Sequence, residues 1–152
     1  MKPAYIIFKE LLEINKANAK TYLWEGERLS QLKQSNWQGI ADHIETLGDF
    51  AKEYGKSVGH INQIIKVYEV YGDHIDRENP PSFRKLYKAL PLIKDDVSAK
   101  KWIDNALNMT GFDFDNEVRV KQGKPSQDDC KHQWVNLKKC KKCKKVVYDE
   151  KH

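Results

Sequence analysis

Cysteine is scarce in this chain and confined to one place. There are three in 152 residues, all at or after Cys130. An odd, clustered set argues against a disulfide framework. Long apolar runs are missing as well. No stretch reaches the roughly 18 apolar residues that a membrane span needs. The opening "MKPAYIIFKELLEINK" is broken by charge after three or four apolar residues and has no small-residue cleavage site. These absences predict a cytoplasmic protein with no membrane partner. Strand patterns are nearly absent before the C-terminal tail, where only "KKVVYDE" has strand-like content. Phosphate-binding glycine loops and nucleophile elbows do not occur, which points away from an enzyme.

What is present is charge of one sign in one place. From Cys130 to His152 there are eight lysines and no arginine against Asp149 and Glu150, a net +6. The rest of the chain is −1, so the whole +5 excess lies in the tail. A basic terminal segment on a near-neutral body suits a polyanionic partner. It also suits simple solubilisation.

Helical spacing dominates the body and predicts a mainly α fold: a helical bundle plus a small C-terminal module. Ile7, Leu11, Ile14, Asn18 and Tyr22 recur every three or four residues, and Leu12, Leu23, Leu29 and Leu32 extend that face. This predicts one or two helices from Ala4 to about Gln34, with Gly26 as a break or a close helix crossing. Trp37, Ile40, Ile44 and Leu47 keep the same spacing, with Ser35 or Asn36 as the cap of a further helix. Phe50, Ala51 and Tyr54 form a short apolar face ending at Gly55. Ser57 then caps a second face of Ile61, Ile64, Ile65 and Tyr68, which ends at Gly72. Beyond a proline-bearing linker, Ser82 caps "FRKLYKAL" and Ser98 caps a helix burying Trp102, Ile103, Ala106 and Leu107. "TGFDFDNEVRV" reads as the last helix. The expected organisation is a helical domain over 1–123, a linker over 124–129 and the module over 130–152.

The stretch from Leu47 to Gly72 has the spacing of a helix-turn-helix. Ala51 permits close packing, Gly55 supplies a positive φ at the corner, and Ile61 and Ile64 bury the inner face of the second helix. Its outer face would carry Ser57, Gly59, His60, Asn62, Gln63 and Lys66. Asparagine and glutamine can pair with adenine, and lysine with phosphate or guanine. Lys56 would stand beside the helix N-terminus, where backbone N–H groups can meet a phosphate. The competing reading is an ordinary corner of an all-α protein.

"LGDFAKEYGKSVGHINQIIKVYEVYG" resembles the helix-turn-helix of ParB/KorB-type partition proteins, in which an "A…GxS" corner precedes the recognition helix. It is similar too to small phage and mobile-element proteins, with "GERLSQLKQSNW" as the preceding helix. The resemblance spans roughly Tyr22 to Asp73. It implies a DNA-binding regulator, segregation or packaging factor, with Gly55 and Ser57 as corner and cap. Gly59, Asn62, Gln63 and Lys66 would then face DNA. Lys56 departs from the apolar residue often found at its position. The partition proteins' arginine-rich nucleotide-binding region has no counterpart, so CTP binding is not expected.

In the tail, Cys130 and His132 are separated by seven residues from the C-x2-C pair Cys140 and Cys143. Three thiolates and one imidazole complete a tetrahedral structural Zn²⁺ site with no position left for water. The C-x-H half departs from the commoner C-x2-C. So short a segment cannot bury enough apolar area to order itself, and metal would supply that energy. Trp134, Val146, Val147 and Tyr148 would form a minicore. Around them, Lys138, Lys139, Lys141, Lys142, Lys144 and Lys145 offset the site's charge and can hold nucleic-acid phosphate.

Two further readings stand beside DNA binding. The helical body could be a protein-interaction adaptor or inhibitor, with the knuckle gripping a partner. Trp134 would also permit RNA binding by stacking. If Asn62, Gln63 and Lys66 lie on an open basic surface, DNA is favoured; if they are buried against the N-terminal helix, the adaptor is. A two-fold homodimer would suit a palindromic DNA site.

Overall fold

The computed structural model describes residues 2–15, 21–126 and 136–149. Within them the chain is mainly helical, as the spacing predicts. Its elements are α1 (Ala4–Asn15), α2 (Tyr22–Gln34), α3 (Leu47–Tyr54), α4 (Val58–Tyr71), α5 (Phe83–Ala89), α6 (Asp96–Asn108) and α7 (Gly111–Lys121). One antiparallel pair follows, β1 (Asn136–Lys139) with β2 (Val146–Asp149), in register Lys139 to Val146. Among the described residues, no helix is long and apolar enough to cross a membrane.

Local chemistry explains the helix starts. Thr46 and Asp49 form a capping box at α3, Ser57 accepts from the His60 N–H at α4, and Thr110 accepts from the Asp113 N–H at α7. At α6 the cap is Asp95, with Ser98 as its reciprocal partner three residues in, so this helix begins earlier than a Ser98 cap would place it.

Two apolar clusters share two helices. The first gathers Ile7 and Leu11 of α1, Leu29 and Leu32 of α2, Phe50 and Tyr54 of α3, and Ile61, Ile64 and Ile65 of α4. The second gathers Tyr22 and Leu23 of α2, Val67 and Tyr71 of α4, and residues of α5, α6 and α7 around Trp102 and Phe114. α2 and α4 therefore run in opposite senses through both clusters. They cross at Gly26, where an added Cβ would lie 2.5 Å from Tyr68 Cβ and 3.1 Å from the Ile64 carbonyl. Of the two roles open to Gly26, the crossing is the one found.

Gly26→Ala sets two effects against each other. Alanine is favoured over glycine within a helix by about 1 kcal/mol. Overpacking typically costs about 1–3 kcal/mol. Because Tyr68 Cβ cannot rotate away from the contact, a net loss of stability is expected in urea unfolding. A gain would show that the two backbones do not approach so closely.

Buried tyrosine hydroxyls fasten the second cluster. Tyr22 donates to the Pro81 carbonyl at 2.7 Å, and Tyr71 to the Leu86 carbonyl at 2.8 Å. Burial pushes both phenols above their ordinary range.

Three sequence expectations need correction. Residues 35–46 form turns and bends instead of a helix. Asn36 (φ 53°), Trp37 (φ 63°) and Gly39 (φ 77°) are all left-handed, and Ser35 ends α2 instead of starting a new helix. Trp37, Ile40 and Ile44 are nonetheless buried, so the spacing reports burial without helicity. Leu107 is 42% exposed and not a core residue; it lies at the edge of the α6 face that buries Trp102, Ile103 and Ala106. Val146 and Val147 are exposed as well, so they do not close a minicore.

Candidate nucleic-acid interface

The corner between α3 and α4 begins at Gly55. This residue has φ 84° and its N–H donates to the Ala51 carbonyl at 2.9 Å. Left-handed backbone here is accessible to glycine and costly for residues with a Cβ. Ser57 is extended and caps α4, while Ala51 and Tyr54 bury the inner side of α3.

α4 then divides into two faces. Ile61, Ile64 and Ile65 point into the first cluster. Ser57, Gly59, His60, Asn62 and Lys66 are exposed, and Gln63 is half-buried. Asn62 and Lys66 are four residues apart, hence one above the other on the same face. Lys66 has no ion-pair partner among the described residues. His60 meets the ring of Phe83 edge-on at 6.1 Å.

Gly59 stands on this open face inside a helix, and no atom lies within 4 Å of where its Cβ would be. Nothing within the fold demands glycine there. Gly59→Ala is therefore expected to stabilise the fold by a few tenths to about 1 kcal/mol. A raised thermal midpoint would register the gain, and a lowered one would contradict the open surface.

Lys56 has a different position from the one expected. Its ammonium pairs with Glu25 Oε1 of α2 at 2.5 Å, where Glu25 is 8% exposed. The Tyr54 hydroxyl donates to the same carboxylate oxygen at 2.5 Å, and the Lys56 ammonium lies 5.4 Å from the Tyr54 ring centre. Burial, with the adjacent Glu25 carboxylate, drives the Tyr54 phenol far above its ordinary range. Lys56 thus ties the corner to α2. Sequence reasoning gave Glu25 no role; the departure from an apolar residue at position 56 was the available signal.

Of the four expected metal ligands, Cys130 and His132 lie outside the described residues, as does Trp134. Cys140 and Cys143 are exposed free thiols on the turn joining β1 to β2. The Cys143 N–H points to Cys140 Sγ at 3.5 Å, and the Lys144 N–H donates to the Cys140 carbonyl at 2.9 Å. Lys144 is left-handed, φ 66°, and the Cys140 N–H closes the turn on the Lys145 carbonyl at 2.8 Å. The Cys140 thiol is held below its ordinary range, first by the Cys143 N–H, then by the Cys143 side chain and neighbouring N–H groups. Thiolate is the metal-binding form of cysteine, so this turn fits one half of a zinc knuckle. Among the described residues no group of three metal-ligating side chains converges. Lys139, Lys141, Lys142, Lys144 and Lys145 are exposed around the turn, and Lys138 lies on β1.

His43 and His74 pair with Glu53 and Asp96, at 3.5 and 3.2 Å. No protein-family model, curated protein or solved structure matches this chain.

Proposed function

We propose that this protein binds double-stranded DNA without catalysing a reaction. In this reading the corner is a DNA-binding helix-turn-helix, and α4 enters a major groove. The observation that carries it is the open face of α4: Ser57, Gly59, Asn62 and Lys66 point to solvent instead of packing against α1. Gln63, half-buried, can still present its amide from the edge of that face. The short side chains at Ser57 and Gly59 would let backbone approach backbone, and Asn62 and Gln63 would meet base edges. Lys66 would reach phosphate.

The C-terminal turn serves as a second, sequence-independent contact. Cys140 and Cys143, together with Cys130 and His132, would hold Zn²⁺, which supplies ordering energy and no reaction. The lysines of the turn would lie against backbone phosphate.

The test is fluorescence anisotropy on random duplex DNA over a salt series, with and without a chelator. Affinity is expected to fall with salt, with a log–log slope of about −0.9 per phosphate contacted. Chelation should make that slope shallower by freeing the tail from its fold. The absence of binding at about 50 mM salt would end the DNA reading, because phosphate contacts are strong there. Zinc in the purified protein should approach one ion per chain, on the four-ligand count. A value near zero would remove the metal.

A further inference from the structure

α4 does not present its open face alone. α5 lies beside it, held by the Tyr71 hydroxyl on the Leu86 carbonyl. Its sequence, FRKLYKA, carries three cations and no acid. Phe83 links the two helices, meeting His60 edge-on and stacking on Tyr87 with centroids 6.3 Å apart and an interplanar angle of 12°. An aromatic ladder thus runs from the first turn of α4 to Tyr87, which is 39% exposed.

Next to Tyr87 the surface dips into an open concavity of about 380 Å³, lined by Lys66, Tyr87, Lys88, Leu90 and Pro91. Lys66 enters it from the same row of α4 as Asn62. Lys88 enters from α5, and Leu90 and Pro91 supply apolar wall. Charge favours an anion here. Lys88 and Arg84 share one carboxylate, Asp115, at 3.0 and 3.4 Å, while Lys66 is unpaired among the described residues. Two cations, Lys66 and Lys88, line the concavity, and no carboxylate is among its described lining residues.

We propose that this concavity seats the backbone of one DNA strand beside the groove that α4 enters. A phosphate would lie between Lys66 and Lys88, with its deoxyribose against Tyr87, Leu90 and Pro91. α5 is then a second contact element that sets the register of α4 on the duplex. Such contacts position a protein and do not read sequence. The concavity's continuity with Asn62 and Lys66 favours the strand already engaged by α4 over an acidic peptide. This inference rests on the DNA reading above.

The test compares full-length wild type with Lys88→Gln, Lys88→Arg, Tyr87→Ala and Asn62→Ala on random duplex over a salt series. Thermal melting of each variant is followed in parallel, because Lys88 also pairs with Asp115. Lys88→Gln is expected to flatten the log–log slope by about 0.9, the loss of one phosphate, and Lys88→Arg to restore it. Tyr87→Ala should weaken binding several-fold with the slope unchanged.

If Asn62→Ala weakens binding while Lys88→Gln and Tyr87→Ala leave affinity and slope untouched, the α5 contact is overturned and the DNA reading stands. If wild type fails to bind duplex at all, both fall. Lys88-dependent binding of a poly-glutamate peptide, with duplex binding indifferent to Lys88, would overturn the inference in favour of an acidic protein partner.

Discussion

Lys56→Met is expected to destabilise the fold by about 3 kcal/mol, because it leaves a carboxylate buried without its counter-charge. Glu25 is 8% exposed, and without Lys56 the neutral Tyr54 hydroxyl would still face that carboxylate but no longer with a counter-charge beside it. For a chain of this size the loss corresponds to a fall in thermal midpoint on the order of 10 °C. The more searching variant is the double one. Adding Glu25→Gln to Lys56→Met removes the stranded charge and keeps an acceptor for Tyr54, so the pair should melt above Lys56→Met alone. Differential scanning calorimetry of the three proteins decides it. If Lys56→Met melts within 1–2 °C of wild type, roughly half a kcal/mol, the pair does not hold the corner. If the double variant is no better than the single, charge is not the reason. In neither variant should the α4 face itself be altered.

The second large effect lies at Phe50. Its ring is fully buried and touches three others: Phe8 at 5.5 Å, Trp37 at 5.0 Å and Tyr54 at 5.3 Å between centroids. One side chain therefore joins α1, the irregular 35–46 segment and α3. Phe50→Ala removes that ring from a site whose walls come from separate elements and cannot all collapse inward. The expected cost is about 3–5 kcal/mol, within the usual range for a core phenylalanine. Since folded domains are stable by about 5–15 kcal/mol, a large part of the population would unfold on modest heating. A loss below about 1 kcal/mol in urea unfolding would mean that the first cluster repacks freely, which close-packed interiors do not do. Comparing the loss with that for Phe114→Ala in the second cluster tests whether the two halves unfold as one unit.

What could be read from the sequence was what local chemistry determines. Gly55 and Ser57 declare a corner because a left-handed residue and a helix cap are satisfied within three or four positions. Ser82 does hold the N-cap position of α5, but its side chain makes no capping hydrogen bond, and Pro91 falls within the 3-10 turn that follows the helix. The 35–46 segment was misread because Trp37, Ile40 and Ile44 are spaced as on a helix, and apolar spacing reports which residues are buried, not the backbone path that buries them. Two consecutive left-handed residues, Asn36 and Trp37, carry no such periodic sign.

The Glu25–Lys56 pair was invisible for a different reason. Its partners are 31 positions apart, and a glutamate on an amphipathic helix looks solvent-facing until another helix covers it. The concavity at α5 was hidden likewise, since Lys66 and Lys88 meet only through tertiary packing. At the C-terminal turn, the C-x2-C spacing was enough to place both thiols on one turn, because three residues leave the chain little choice.

The crossing of α2 and α4 has a mechanical consequence. α4 is a single rod clamped at both ends, with Ile61 and Ile64 in one core and Val67 and Tyr71 in the other. At its midpoint it is pressed against the backbone of Gly26. Its outward-facing end cannot tilt or slide without dragging both cores along. A partner that docks there meets a preformed surface and orders little in doing so, which leaves more of the contact energy for affinity. Such docking should proceed with small backbone displacement and rapid, single-step association, more like a key entering a fixed lock than a hand closing on an object.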